Sequence, residues 1–250
     1  MTQDSILFEG MTSIRAVLEG GKSGIHDRRI LRVIVDRAKK KSKADEIAYL
    51  TAVGKTLGFP VTECSAQELD VLTSGTTHGG IAAECTDRTI PPLSDSSLPA
   101  GGFAVMLEGI EDPFNFGYAL RTLYAAGADA VVLTPRNWMH AAGTVCRSSA
   151  GASELLPLYI ADGIKAVQTA RAAGYKIVCA GIRDSVSAFD ADLTRPVFLI
   201  VGGEKRGISR ALLNEADTVV RLDYGRPFRG SLSTASAASV LAYEILRQNR

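Results

Sequence analysis

The sequence lacks the features that mark membrane, disulfide-rich and metal-binding proteins. No apolar run approaches the ~20 residues that a helix needs to span a bilayer, and the first residues show no basic stretch followed by an apolar one. The four cysteines are scattered without a Cys-x-x-Cys pair, and His26, His78 and His140 lie far apart. We therefore expect no disulfide framework, no metal site and no membrane contact, and we expect the chain to be cytoplasmic.

Net charge is nearly absent as well, because 28 Lys and Arg stand against 27 Asp and Glu. A chain so balanced is not expected to bind polyanions over its whole surface. The cations are unevenly distributed, however, and one run holds Arg15, Lys22, Arg28, Arg29, Arg32, Arg37, Lys39, Lys40, Lys41 and Lys43. This run is either an ordinary solvated face or a surface for the phosphates of a nucleic acid, and the sequence leaves both open.

Two blocks of alternating helix and strand patterns lie on either side of a segment rich in proline and serine. The first block predicts helices at 12–18, 44–57 and from Ser65 onward, where Ser65 and Glu68 fit a capping box, and strands at 31–35, 61–64 and 80–84. The second predicts strands at 103–107, 130–133, 176–180, 197–201 and 218–222, as in a mostly parallel sheet with both faces covered. We predict an α/β protein with a small α/β sandwich domain at 1–88, a linker at 89–101 and a larger domain at 102–250.

The most informative segment runs from Leu107 to Thr122. An apolar strand precedes it, Asp112-Pro113 breaks that strand, and helical spacing follows. Asn115 and Arg121 are therefore expected beyond the carboxyl end of a strand, which is where open α/β sheets bind ligands. A capped turn with a solvated arginine explains this segment equally well.

A second apolar strand, 199–201, ends in Gly202 and Gly203, with Glu204 directly after them. The spacing of these glycines and Gly207 matches neither a phosphate-binding P-loop nor the G-x-G-x-x-G fingerprint. Glycine here would let backbone groups lie against the flat edge of a ligand, and a side chain at Gly202 would intrude on that ligand. The alternative is a simple turn between strand and helix. A third segment, 231–238, opens the last helix.

In order and spacing these three segments resemble the three motifs of the SpoU (TrmH-type) RNA 2′-O-ribose methyltransferases of the SPOUT class. The resemblance extends to 147–152 and Leu156-Pro157, and more weakly to 10–18 and 79–81. It implies that a deep trefoil knot forms in the larger domain and that the smaller domain binds RNA. It also implies S-adenosyl-L-methionine as cofactor, rRNA or next tRNA as substrate, and a homodimer formed through the C-terminal domain.

The resemblance also assigns roles to particular side chains. Arg121 matches the motif-one arginine, and because a guanidinium is a poor base we expect it to clamp a phosphate and stabilise the developing alkoxide. Asn115 would orient the nucleotide, Glu204 would hold Arg121 or the glycine loop, and Ser231 would contact the ribose or its phosphate. The cofactor would be cradled by Gly202, Gly203, Leu222 and Leu232. Local capping and turn formation is the alternative for the asparagine and the serine.

Two departures from the family pattern bear on activity. Ser233 stands where motif three usually has asparagine, and the segment from Leu222 to Arg229 differs from the usual Ile-Pro-Met and is one residue longer. These departures keep a rival open, a non-enzymatic RNA-binding or ribosome-assembly factor that retains the fold and the cofactor pocket. A small-molecule enzyme using the same crevice is a further alternative, for which the sequence offers no acid–base pair.

Overall fold

The computed structural model describes residues 5–73, 78–135 and 141–250, and its contacts divide the chain into two compact units. The first unit comprises Met1–Thr89 and Trp138–Leu155, and the second comprises Ile90–Asn137 and Leu156–Arg250. A segment from the middle of the predicted larger domain therefore packs with the first unit. His140 lies outside the described residues. In the parts of the chain that the structure describes, no helix is long and apolar enough to cross a bilayer.

The first unit is built on a four-stranded sheet in the order β1-β4-β2-β3. Its elements up to Thr89 are β1 (Ile6–Glu9), α1 (Gly10–Lys22), β2 (Ile30–Asp36), a 3-10 turn (Arg37–Lys39), α2 (Ala44–Leu57), β3 (Val61–Cys64), α3 (Ala66–Leu72) and β4 (Ile81–Cys85). The predicted helices and strands are confirmed, and so is the capping box, since Ser65 and Glu68 exchange hydrogen bonds at the start of α3. The short strand β1 was not predicted.

The second unit contains a seven-stranded sheet in the order β7-β6-β5-β10-β8-β11-β9, in which every pairing is parallel. From residue 103 onward the elements of the chain are β5 (Phe103–Glu108), α4 (Pro113–Ala125), β6 (Ala130–Leu133), α5 (Ala142–Ser148), α6 (Ala152–Leu155), β7 (Leu158–Ile160), α7 (Gly163–Ala172), β8 (Lys176–Ala180), β9 (Val186–Ser187), β10 (Val197–Gly202), α8 (Arg210–Asn214), β11 (Thr218–Arg221) and α9 (Thr234–Gln248). The predicted α/β class with a mostly parallel sheet is confirmed. The strands β7 and β9 are too short for a periodic pattern and were not predicted.

The central strands β5 and β10 are buried along their whole length except at the last residue. Both faces of a parallel sheet are covered, which is why these strands are continuous apolar runs without alternation. Phe103, Met106, Phe198 and Ile200 are fully buried. Along these two strands, polar side chains are accommodated only where the strands end, and the candidate site lies there.

Helices α5 and α6 belong to the first unit through close backbone contact and buried charge. A Cβ atom at Gly143 would lie 2.1 Å from the carbonyl oxygen of Leu7, so α5 approaches β1 as only glycine allows. The Arg28 Nε atom donates to Glu154 of α6 at 3.0 Å, and both side chains are almost fully buried. Arg88 donates to the carbonyl oxygen of Ser153 at 2.6 Å. These contacts hold a late segment of the chain on an early one.

Candidate functional site

The candidate site lies at the carboxyl ends of β5 and β10, which are neighbours in the middle of the sheet. From β5 the chain builds β6 and β7 on one side and then crosses to β8 on the other, so the strand order reverses here. Ligands of open α/β sheets bind in the crevice that forms at such a reversal. The strand-to-helix turn with Asn115 follows β5, and the glycine loop follows β10.

Hydrogen bonds and an ion pair join the turn after β5 to the loop after β10. The Gly203 backbone nitrogen donates to the Glu108 carbonyl oxygen at 2.7 Å, and the Ser209 backbone nitrogen donates to the Glu108 carboxylate at 2.9 Å. Lys205 and Glu111 form an exposed ion pair at 2.7 Å. The first two motifs are therefore held as one rigid corner.

The glycines at the end of β10 are required by the protein's own backbone. A Cβ atom at Gly202 would lie 2.2 Å from the Gly207 carbonyl carbon, and one at Gly203 would lie 2.3 Å from the Gly109 carbonyl oxygen. The expectation that a side chain at Gly202 would first intrude on a ligand is therefore corrected, because the loop itself would have to move before any ligand was met. The turn places a backbone carbonyl and amide at the strand end, as the sequence suggested.

Asn115, Glu204 and the start of α9 meet in one hydrogen-bond network. The side-chain amide of Asn115 donates to Glu204 Oε1 at 3.1 Å, and the backbone nitrogen of Thr234 approaches the same oxygen at 3.4 Å. The Thr234 hydroxyl donates to the Gly202 carbonyl oxygen at 2.8 Å. Asp112 caps α4 by accepting from the Asn115 backbone nitrogen at 2.8 Å. All three motifs are thus connected through named atoms.

Thr234 is the member of this network that the sequence pattern did not reveal. It is 3% exposed and joins the first turn of α9 to the glycine loop. Its neighbour Ser233 is the N-cap of α9, and its hydroxyl accepts from the Ser236 backbone nitrogen at 3.2 Å. The departure from asparagine at position 233 therefore preserves the start of the helix. The sequence did contain one indication of this role, because Thr234 is a hydroxyl residue directly after the N-cap Ser233.

Arg121 and Ser231 stand outside this network. Arg121 lies six residues beyond Asn115 on α4, so it is about 9 Å further along the axis and projects roughly 120° away. Its side chain is exposed, and among the described residues it forms no hydrogen bond or ion pair. The carboxylate of Glu204 contacts Asn115 and the start of α9, not Arg121. Ser231 is exposed just before α9.

The remaining predicted cofactor positions are Leu222 and Leu232. Leu222 directly follows β11, and β8 separates β11 from β10, so the two strand ends lie roughly 10 Å apart. Leu232 is 38% exposed, and its backbone nitrogen donates to the Tyr224 hydroxyl at 3.3 Å. Backbone polar groups at the glycine loop, the half-buried Leu222 and the exposed Leu232 are suited to a ligand with one polar and one flat apolar side.

The basic run of the first unit divides into structural and exposed members. Arg28 is 5% exposed and pairs with Glu154, so it is not available to a nucleic acid. Arg32 makes a two-pronged pair with Glu84 at 2.8 and 2.9 Å. Lys39 and Lys41 are exposed. Arg28 and Arg32 therefore stabilise the fold through their ion pairs, and the expected solvated or phosphate-binding face consists of the other members of the run.

Two solved structures share this fold. A structure described as an RNA 2′-O ribose methyltransferase has a TM-score of 0.81 at 23% identity, and the match covers 99% of this chain and 90% of that chain. An AdoMet-bound rRNA methyltransferase from Sinorhizobium meliloti has a TM-score of 0.79 at 23% identity, with 98% and 87% covered. The shared architecture is that of an α/β protein with a large parallel sheet.

Sequence similarity defines the family. Residues 102–243 match the SpoU rRNA Methylase family, and residues 9–91 match RNA 2′-O ribose methyltransferase substrate binding. The 23S rRNA (guanosine-2′-O-)-methyltransferase RlmB of Xylella fastidiosa is 30% identical over 231 residues, which is 88% of this chain and 89% of the relative. The chain therefore belongs to the SpoU family of RNA methyltransferases, and the resemblance inferred from the three motifs is confirmed.

Proposed function

We propose that this protein transfers a methyl group from S-adenosyl-L-methionine to a ribose 2′-hydroxyl of RNA, at the corner between β5 and β10. The observation that carries the proposal is the hydrogen-bond network that joins Asn115, Glu204, Gly202 and Thr234 across the three motifs. The relative from Xylella fastidiosa is named for guanosine 2′-O-methylation of 23S rRNA, so rRNA is the first expected substrate and tRNA the second.

The residues at the sheet edge fit the proposed cofactor. The backbone at Gly202 and Gly203 offers hydrogen-bonding groups at a strand end, and Leu222 and Leu232 offer apolar surface for an adenine ring. When bound, the cofactor supplies an electrophilic methyl on a sulfonium. Methyl transfer then needs mainly orientation and exclusion of water from the chain itself.

Asn115 orients the nucleotide in this proposal. Because its amide nitrogen donates to Glu204, the amide oxygen is directed away from that carboxylate and remains an acceptor for a hydroxyl or an amino group. Arg121, exposed on the same helix, binds the phosphate next to the target ribose and stabilises negative charge on its 2′-oxygen. The proton leaves to phosphate or water, because a guanidinium does not accept it. Ser231 adds a hydroxyl contact to the same nucleotide.

We further propose that two copies associate through α4 and α9. The two helices pack against each other, and their outer faces carry large apolar side chains that are each at least 40% exposed, namely Phe114, Tyr118, Tyr124, Val240 and Tyr243. Exposed apolar surface of this kind is typical of an interaction site. Sedimentation equilibrium should give twice the chain mass at micromolar concentration, and a monomer there would refute the dimer.

Two further expectations belong to the proposal. The knot implied by the resemblance stays a prediction. A cytoplasmic location is supported by the family's RNA substrates, and cell fractionation would test it.

The decisive experiment combines cofactor binding with methyl transfer by the Arg121→Ala variant. Calorimetry of the parent protein with S-adenosylhomocysteine should give roughly micromolar to sub-millimolar affinity, and the variant should keep it. The variant's methylation rate on RNA from a strain lacking the gene should fall about a hundredfold or more. Arg121→Lys should rescue little, because an ammonium cannot reproduce the guanidinium fork. A parent that binds cofactor and RNA but methylates no cellular RNA would instead favour the non-enzymatic factor.

A further inference from the structure

A groove on the first unit runs between α2 and the edge strand β3. Its volume of about 370 Å³ lies within the range of small-ligand sites. The apolar part of its wall is formed by the exposed Pro60 and the half-buried Ile47 and Val61, with Val35 and Phe59 buried beneath them. Thr51 lines the groove from the exposed side of α2. The groove therefore offers an apolar surface that a flat ring can cover.

Cations surround this groove. Arg37 and Lys40 line it from the end of β2, and Lys55 lines it from the last turn of α2. Among the lining residues the only carboxylate is Glu63, which pairs with Lys40 at 2.7 Å and with Arg37 at 3.8 Å. Hydrogen bonding and charge from Lys40 hold the pKa of Glu63 below its ordinary value, so this carboxylate stays ionised at neutral pH. One anion against three cations leaves a net positive rim.

We propose that this groove binds one unpaired nucleotide of an RNA strand, with its base against the apolar wall and the flanking phosphates on Arg37, Lys40 and Lys55. An unpaired base exposes the ring faces and edges that a paired base hides, and single-stranded RNA is the form that proteins read in this way. The inference rests on the proposed RNA methyltransferase function and specifies where the first unit holds its RNA. Glu63 keeps the two neighbouring cations in place in the free protein.

The first test compares two triple variants of equal charge. Arg37→Ala with Lys40→Ala and Lys55→Ala removes the rim, whereas Lys22→Ala with Lys39→Ala and Lys41→Ala removes three exposed cations of the same unit that do not line the groove. The probe is a fluorescein-labelled uridine heptamer, bound by the full chain and followed by anisotropy. We expect the rim variant to lose about tenfold or more in affinity and about 2 in the slope against log salt. Equal losses in both variants would overturn the proposal.

The second test fills the groove without changing charge. Thr51→Met places a longer side chain into the groove, and Ala52→Met makes a matched change on the next exposed position of α2. We expect Thr51→Met to weaken heptamer binding about fivefold with an unchanged salt slope, and Ala52→Met to bind like the parent. A polyglutamate peptide should compete poorly. Parental binding by Thr51→Met, or equal competition by polyglutamate, would show a merely charged surface and refute a nucleotide site.

Failure of this inference can be separated from failure of the proposed function. Methylation of total RNA and binding of S-adenosylhomocysteine are measured on the same variants. If groove variants bind the heptamer with parental affinity and methylate RNA at the parental rate, the nucleotide site in the groove is refuted and the methyltransferase function is retained. Heptamer binding that depends on the groove, in a parent that methylates nothing, would keep the groove and refute the methyltransferase.

Discussion

The two units bury different kinds of side chains. Among the described residues, those of the first unit that are buried and charged are Glu9, Arg28, Asp36, Glu84, Arg88 and Glu154, whereas the second unit buries Glu244. The core of the second unit is otherwise formed by apolar strands covered on both faces, and polar groups of the three motifs meet where β5 and β10 end. The same residue types therefore stabilise the packing of one unit and form the candidate site of the other.

The difference follows from how each unit is assembled. The first unit must hold a segment, 142–155, that the chain supplies only after building part of the second sheet. Apolar contacts tolerate small shifts of such a segment, but a buried arginine and carboxylate are satisfied in one arrangement only. A buried ion pair contributes little net stability compared with apolar packing, yet breaking it is costly. We infer that these charges fix where α6 docks.

The largest predicted effect is the loss of this buried pair. Glu154→Ala leaves Arg28 buried without its carboxylate, and within the described part of the chain its guanidinium then keeps the hydrogen bond to the Thr86 carbonyl and the contact with the Phe8 ring. The free energy of unfolding should fall by about 3–5 kcal/mol. Urea denaturation followed by circular dichroism measures it. Glu19→Ala makes the same chemical change on an exposed position of α1 and should alter stability by under about 0.5 kcal/mol.

Hydrogen exchange then decides whether the comparison of the two units holds. In the Glu154→Ala variant, peptides from α1, β4 and α6 should lose protection while peptides from β5 and β10 keep theirs. Equal loss across both sheets would mean that the buried charges stabilise the whole molecule and do not serve the first unit alone.

Local patterns were sufficient to predict most of the regular elements. The helix at 44–57 and the strand at 61–64 are confirmed residue for residue, because a left-handed Gly58 ends the helix and Ser65 caps the next one. The central strands of the second unit were predicted within one residue, since buried parallel strands are uninterrupted apolar runs. Signals of this kind depend on residues that are neighbours in sequence.

Contacts between distant residues were beyond such patterns. Arg28 and Glu154 are 126 positions apart, and nothing in a run of basic residues distinguishes the one that will be buried. Asn115 and Glu204 are 89 positions apart, and the bond between them depends on β5 and β10 becoming neighbours. The motif resemblance supplied the candidate residues, but only the folded structure shows that Thr234, not Arg121, approaches Glu204.

The second prediction concerns Thr234, which connects α9 to the glycine loop. Thr234→Val keeps the shape but removes the hydroxyl that donates to the Gly202 carbonyl oxygen, leaving this half-buried carbonyl without that donor. Loss of this bond should cost about 1–1.5 kcal/mol, seen as about a tenfold rise in the KM for S-adenosylmethionine with a smaller change in kcat. Thr234→Ser restores the hydroxyl and should recover most of the affinity.

A merely structural role for Thr234 would give a different result. If Thr234→Val lowered the melting temperature of the second unit but left both kinetic constants unchanged at a permissive temperature, the hydroxyl would stabilise the helix start and have no part in positioning the loop. The Thr234 hydroxyl would then have a structural role only, like the buried charges of the first unit, and the difference between the two units would be smaller.

The smallest predicted effect is a pH dependence confined to the first unit. The His26 side chain is fully buried, its Nδ1 accepts from the Arg28 backbone nitrogen at 3.2 Å, and its Nε2 lies 3.5 Å from Glu154. Burial lowers the pKa of His26 below its ordinary 6.5; the charges of Arg88 and Arg28 lower it further, and those of Glu154 and Asp27 oppose them. Because the folded state binds this proton less readily than the unfolded state, the stabilisation is present above pH 6.5 and is lost as the pH falls below it.

Hydrogen exchange at pH 7 and pH 5, corrected for intrinsic rates, tests this dependence. Peptides from β2, β4 and α6 should lose protection at pH 5. Peptides from β10 and α9 should not, because hydrogen bonds from Arg247 lower the pKa of Glu244, and stability from that carboxylate is lost only below about pH 4. His26→Asn keeps an acceptor for the Arg28 backbone but cannot be protonated, so the variant should show the same protection at both pH values. If the parent and the variant lose protection equally at pH 5, groups other than His26 cause the acid sensitivity.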